Sequence, residues 1–135
     1  MRIMGIDYGD ARTGLAVSDE MNVLVGDAWT VSEWDPEKVA QIVAREAESR
    51  GVRRLVLGLP KNMDGSEGPR AEKCRAFAEL IKAHTDTELV LWDERRSSIE
   101  AHAILHAVGK KEKKHRQNVD AVAASIILES YLGSL

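Results

Sequence analysis

Aromatic residues are scarce in this 135-residue chain, 4% of the total, so its core must be aliphatic. Cysteine is scarcer: Cys74 stands alone. A lone thiol excludes a disulfide framework and cannot build a zinc site. No apolar run approaches the roughly 20 residues that span a bilayer. The amino terminus does not read as a signal peptide, because it opens on a strand that contains an acid. These absences predict a cytoplasmic protein with no membrane partner. An excess of one charge is missing too. Lys and Arg number 19 against 22 Asp and Glu, a net charge of −3, so binding to nucleic acid must come from a local patch. Internal repeats, low-complexity stretches and linkers are also lacking, which predicts one domain over residues 1–135. What remains is 44% hydrophobic and 30% charged, an ordinary globular balance for a chain long enough to bury a core.

The chain is organised around its first strand, Arg2-Ile3-Met4-Gly5-Ile6-Asp7. Apolar on both faces, it belongs in the middle of a sheet. Gly9 and Gly14 turn the chain back into Leu15-Ala16-Val17, an antiparallel hairpin partner. A third strand is predicted over 23–31, with an irregularity at Gly26-Asp27. Asp35-Pro36 opens a helix whose buried stripe reads Val39, Ile42, Val43 and Ala47, and Gly51 stops it. Leu55-Val56-Leu57-Gly58 is a second central strand. A turn-rich loop follows over 59–68, then a helix from Pro69 with Ala71, Cys74, Phe77, Ala78 and Ile81 inward. Residues 88–92 read as another buried strand. Ser97 and Glu100 form a capping box for a helix carrying Ala101, Ile104, Leu105 and Val108. A basic run over 110–116 precedes a last helix, which starts near Asn118 and buries Val119, Val122, Ala123, Ile126, Ile127 and, at its end, Tyr131. The first three strands form a meander. The later two arrive through helical crossovers, which favour parallel placement beside the first.

Three acids fall at element ends. Asp7 ends one central strand, Asp93-Glu94 ends another, and Asp120 lies in the first turn of the last helix. Ligands of open sheets with crossovers bind off the carboxyl ends of the strands. Carboxylates gathered there repel by about 4 kcal/mol per pair at 4 Å and an effective dielectric near 20, so a cluster needs a proton or a cation. Hard oxygen donors suit Mg²⁺ or Mn²⁺, and two such ions about 3.5–4 Å apart can activate water and stabilise the leaving oxygen of a phosphodiester. Blander roles stay open. Asp7 could cap the turn to Gly9, Asp120 could serve the helix dipole, and Asp93 and Glu94 could pair with Arg95 and Arg96. Alternation turns Asp93 and Glu94 opposite ways, and spacing does not choose between them. Lys110, Lys111, Lys113, Lys114 and Arg116, just before Asp120, suit phosphate contact or a solvated loop; Arg12, Arg95 and Arg96 could add to that surface. His102 and His106 lie one helical turn apart, but the flanking sequence is not HExxH. The three Trp do not form a stacking row.

Four stretches carry a family resemblance: Gly5-Ile6-Asp7-Tyr8-Gly9 through Gly14-Leu15-Ala16-Val17-Ser18-Asp19; Gly58-Leu59-Pro60-Lys61-Asn62-Met63-Asp64-Gly65-Ser66-Glu67-Gly68; Asp93-Glu94-Arg95-Arg96-Ser97-Ser98; and Val119-Asp120-Ala121-Val122-Ala123-Ala124 through Ser130-Tyr131-Leu132. Together, in this order, the chain resembles the YqgF (RuvX) family, Holliday-junction-resolvase-like proteins described as nucleases for pre-16S ribosomal RNA. The resemblance implies an α/β, RNase H-like fold: a five-stranded mixed sheet, an antiparallel meander plus two parallel strands, with helices on both faces. It implies a Mg²⁺- or Mn²⁺-dependent endonuclease on structured nucleic acid, maturing the 5′ end of pre-16S rRNA as a monomer or weak homodimer. The family's acids fall on Asp7, Glu94 and Asp120, as catalytic and metal-holding groups, and this selects Glu94 over Asp93. The 62–65 loop would flank the cleft, Asn62 touching nucleic acid or simply shaping a turn. Ala11 stands where the family usually has a basic residue, Lys61 replaces a usual Leu and Ser98 a usual Thr, which touches substrate contact and not the acids. Alternative readings are a resolvase of branched DNA and a non-catalytic RNA-binding factor in ribosome assembly. Asp7-Tyr8-Gly9 with Gly14 also resembles the first phosphate loop of the actin and sugar-kinase superfamily, whose members need a second such domain.

Overall fold

A computed structural model describes residues 1–96 and 116–135, with side chains from residue 119 onward in the second stretch. Five strands form one sheet: β1 (Arg2–Asp7), β2 (Arg12–Ser18), β3 (Val25–Ser32), β4 (Val52–Leu59) and β5 (Glu88–Asp93), in the order β3-β2-β1-β4-β5. The first three pair antiparallel, β4 lies parallel to β1, and β5 parallel to β4. Helix α1 (Pro36–Ser49) connects β3 to β4, and α2 (Pro69–Lys82) connects β4 to β5. A 3₁₀ turn, Glu94–Arg96, follows β5, and α3 (Arg116–Leu132) lies further along the chain. This is the predicted mixed sheet. No described helix is long and apolar enough to cross a membrane.

Alternation along the strands gives the sheet two apolar faces. Met4, Ile6, Leu15, Leu55 and Leu57 pack beneath α1 and α2, against Val39, Val43, Phe77 and Ile81. On the other face Ile3, Ala16, Val56 and Trp92 pack with Ala124, Ile127, Leu128 and Tyr131 of α3. Helices therefore cover both faces. Asp35 Oδ1 accepts from the Glu37 amide at 3.0 Å and Pro36 opens α1, the predicted start. Cys74 is core, 2% exposed.

Several sequence expectations need correction. The third strand starts two residues later than predicted, because Val23 and Leu24 donate their amides to Asp19 Oδ1 in a turn. The irregularity at Gly26 is a bulge: Val17 pairs with Asp27 and Ser18 with Val25, which skips Gly26. The stripe of α1 is Val39, Ala40, Val43, Ala44 and Ala47, with Ile42 only half-buried. Small alanines let the helix lie close to the sheet and rotate Ile42 off the seam. Strand β5 is an edge strand, half-buried apart from Trp92. Helix α3 begins at Arg116 and buries Ala124, Ile127, Leu128 and Tyr131, while Val119, Val122, Ala123 and Ile126 are half-buried. The predicted helix after Ser97, with His102 and His106, lies outside the described residues.

Candidate active site at the strand tips

Strand β1 is the pivot of the sheet, antiparallel to β2 on one side and parallel to β4 on the other. Its side chains at Ile3, Gly5 and Asp7 share the face that α3 covers. Three glycines make close docking possible there. A Cβ on Gly5 would lie 2.8 Å from the Ala124 carbonyl oxygen and from Leu128 Cβ, and one on Gly14 would lie 1.9 Å from the Asp120 carbonyl oxygen. A Cβ on Gly58 would meet Glu94 Oε1 at 2.5 Å and Ile127 Cδ1 at 2.6 Å. Real side-chain carbons do not approach so closely. Helix α3 and Glu94 therefore rest on bare backbone around Asp7, whose register partner is Gly14.

This seating brings the three acids into one electrostatic neighbourhood. Asp7 is pushed from 3.8 up to about 7 by burial first, then by the charges of Glu94 and Asp120, with Arg70 opposing. Asp120 is also raised, by burial, and the Arg12 guanidinium opposes it. Arg12 Nε lies 3.2 Å from Asp120 Oδ2, out of line for a hydrogen bond, and that buried oxygen has no hydrogen-bond donor among the described residues. An unsatisfied buried carboxylate oxygen is costly and marks a place for a cation or a proton. Among the described residues, no group of three or more His, Cys, Asp or Glu is arranged to hold a metal ion unaided. The donor set is nonetheless all oxygen, the chemistry that hard divalent ions take.

Parity separates the two neighbouring acids. Asp93 ends β5 on the face of Leu89 and Leu91, and Arg95 holds it with a shortest contact of 2.7 Å, the pairing the sequence left open. Glu94 swings onto Gly58 on the face of Asp7. Arg95 also donates to the Met63 carbonyl at 3.3 Å, tying the 3₁₀ turn to the loop after β4. In that loop the Asn62 side-chain amide donates to Ser66 Oγ at 2.9 Å, and Asp64 accepts from the Ser66 amide and hydroxyl. Asn62 thus shapes a turn, which leaves its expected contact with nucleic acid untested. Arg96 lies 4.8 Å over the Trp92 ring. Lys110, Lys111, Lys113 and Lys114 lie outside the described residues, and of Arg116 only the backbone, opening α3, is described.

Arg70 was not legible from the sequence. From the first turn of α2 it donates to the Tyr8 carbonyl and, at 3.1 Å, to Asp10, and its charge reaches Asp7. The contact spans 62 positions, so no local pattern announces it.

The family model described as RuvX, Holliday junction resolvase, matches residues 1–134. The chain belongs to the RuvX family. Curated relatives match over most of their length. A Halothermothrix orenii protein is 42% identical over 98% of this chain and 94% of its own, and one from Pelotomaculum thermopropionicum is 39% identical over 99% and 88%. Both are named "Putative pre-16S rRNA nuclease". Among solved structures, Thermus thermophilus RuvC in complex with a Holliday junction substrate matches with a TM-score of 0.61 at 12% identity, covering 99% of this chain and 96% of that one. The Fowlpox virus resolvase bound to Holliday junction DNA matches at 0.59 and 15%, covering 99% and 98%. At such identities the likeness concerns the fold: this RuvX chain has the RNase H-like architecture of those resolvases.

Proposed function

We propose that this chain is a cytoplasmic endonuclease that hydrolyses phosphodiester bonds of structured nucleic acid, with pre-16S rRNA as its substrate. Family membership and the names of relatives at 39–42% identity support the nuclease and the RNA. The observation that carries the site is the upward displacement of Asp7, caused by burial and by two other carboxylates from distant parts of the chain. An enzyme tolerates such a cluster where a cation joins it.

Asp7, Glu94 and Asp120 would hold Mg²⁺ or Mn²⁺. An ion held by these three carboxylates would supply an activated water and a counter-charge for the oxygen that leaves phosphorus. The chain's own residues set the geometry. Asp7 sits at the tip of a central strand and cannot move without the sheet. Asp120 enters on a helix whose backbone rests on Gly14, and Glu94 is steered by Gly58. Arg12 restrains Asp120, and Arg95 locks Asp93 away from the site. With Lys110, Lys111, Lys113, Lys114 and Arg116, Arg12 and Arg95 would also present positive charge to the phosphates flanking the cut.

The test offers the purified chain a model RNA spanning the 5′ end of pre-16S rRNA and, separately, a four-way DNA junction, with Mg²⁺, Mn²⁺ or EDTA. RNA cleavage that needs the ion and disappears in Asp7→Asn is the expected result. Cleavage of the junction alone reassigns the substrate. RNA binding without cleavage, unchanged in EDTA and in Asp7→Asn, makes the protein a binding factor.

A further inference from the structure

The opposite side of the β1 tip holds a second feature that the acids do not use. Tyr8 follows Asp7 by one residue and turns to the other face, stacking on Phe77 with ring centroids 4.0 Å apart. Beside this pair opens a cavity of about 490 Å³, within the range of ligand pockets. Its walls are the rings of Tyr8, Phe77 and Trp34 with Pro36 and Leu80, and its polar edge is Asp10 and Lys73. Trp34 is 73% exposed, an unusual position for the largest apolar side chain.

The backbone beneath Trp34 is fixed. Glu33 donates its amide to the Ala11 carbonyl at 3.0 Å, and its carboxylate accepts from the Trp34 and Asp35 amides at 2.8 and 3.1 Å. Asp35 then caps α1. An exposed indole on a pinned backbone, beside an aromatic-walled cavity, is a stacking platform whose face is open to a base. The rim is mixed in charge, with the carboxylates of Asp10 and Asp35 near Tyr8, but it offers two cations that a phosphate can meet. Arg70 and Lys73, two cations, share the single carboxylate of Asp10 at 3.1 and 3.3 Å and are themselves 40% and 57% exposed. A flat apolar face with a polar edge and a neighbouring anion describes a nucleotide.

We propose that this cavity takes an unpaired nucleobase of the substrate strand, stacked on Trp34, one or a few nucleotides from the phosphate held at Asp7. The reading rests on the nuclease proposal for the identity of the ligand but not on turnover. It implies a requirement that the acids cannot impose: the RNA must be single-stranded, or able to release a base, beside the cut. Base–aromatic stacking tolerates any sequence, so the requirement is one of structure.

The test measures binding of a labelled single-stranded oligoribonucleotide, and of an abasic strand of equal length and charge, to the full-length Asp7→Asn chain in EDTA, where nothing is cut. Trp34→Ala is expected to weaken the base-bearing strand about tenfold and to leave the abasic strand unchanged, while Trp34→Phe restores most of the difference. Equal effects on both strands, or no effect on either, overturn the subsite. So does a wild-type chain that fails to prefer the base-bearing strand, or a Trp34→Ala change that alters only self-association in sedimentation, which would give this face to a second copy. The nuclease reading stands or falls separately, on metal-dependent cleavage.

Discussion

Asp7→Asn is expected to make the protein more stable while it abolishes the activity. The folded chain holds the Asp7 carboxyl at about 7 instead of 3.8, through burial, Glu94 and Asp120. A carboxyl raised on folding binds its proton more tightly in the folded state, so stability falls as pH climbs from about 4 to 7 and stays low above. The displacement from 3.8 to about 7, at about 1.36 kcal/mol per tenfold step, sets a ceiling near 4 kcal/mol. Relaxation of the charged site brings the expected gain to about 2–4 kcal/mol at pH 8. For a chain of this length that is a rise of roughly 8–15 °C in melting temperature. Asparagine has nearly the same shape as aspartic acid, so the gain should be small near pH 4, where the wild-type carboxyl is protonated in the folded state and partly protonated in the unfolded one. Urea unfolding of both proteins between pH 4 and 9 in EDTA reads this difference directly. Saturating Mg²⁺ should then narrow the gap at pH 8 by stabilising the wild type alone, by about 2.7 kcal/mol at one hundred times its Kd. A difference constant across the pH range, or an Asn variant less stable at pH 8, would falsify the argument that the three acids share one site.

Further outcomes follow from single contacts. Glu94→Gln is expected to lower the cleavage rate by at least a hundredfold, in the range that losing a charge-stabilising group costs, whereas Asp93→Asn, which removes an acid already held by Arg95, should cost less than tenfold; single-turnover assays at saturating metal distinguish them. Gly58→Ala should destabilise the fold by about 1–3 kcal/mol through overpacking and reduce cleavage more than stability, because the added carbon lands 2.5 Å from Glu94 Oε1; equal activity and stability losses would count against steering. Arg12→Leu removes the cation that opposes the raised Asp120, so the acid limb of the pH–rate profile should move to higher pH, and an unmoved limb would place Arg12 outside the site. Phe77→Ala deletes a buried ring under Tyr8 and should cost about 3–5 kcal/mol in urea unfolding.

The parts of this molecule that are written locally were legible. Leu55 to Gly58 is apolar on both faces and is central; Pro36 and Pro69 open helices where they stand. Helix α3 resisted, because its polar residues, among them Asp120, Ser125 and Ser130, are dispersed around it and offer periodicity no preferred side. Its orientation comes from glycines on three separate strands, a property of the sheet and not of the helix. Alternation shows that Asp93 and Glu94 diverge but not which one faces the site; the family resemblance chose Glu94, and the Gly58 gap is the physical reason its side chain fits there. Arg70 and Trp34 were missed for different reasons. The contacts of Arg70 are long-range, and an exposed Trp looks no different in a sequence from a buried one.

The seat of α3 on Gly5, Gly14 and Gly58 also ties together two residues that are remote in the chain. A carbon added to β1, β2 or β4 at these positions would lift the helix off the sheet and carry Asp120 away from Asp7. The three bare positions are therefore as much a part of the candidate site as the acids, although none of them can bear a charge.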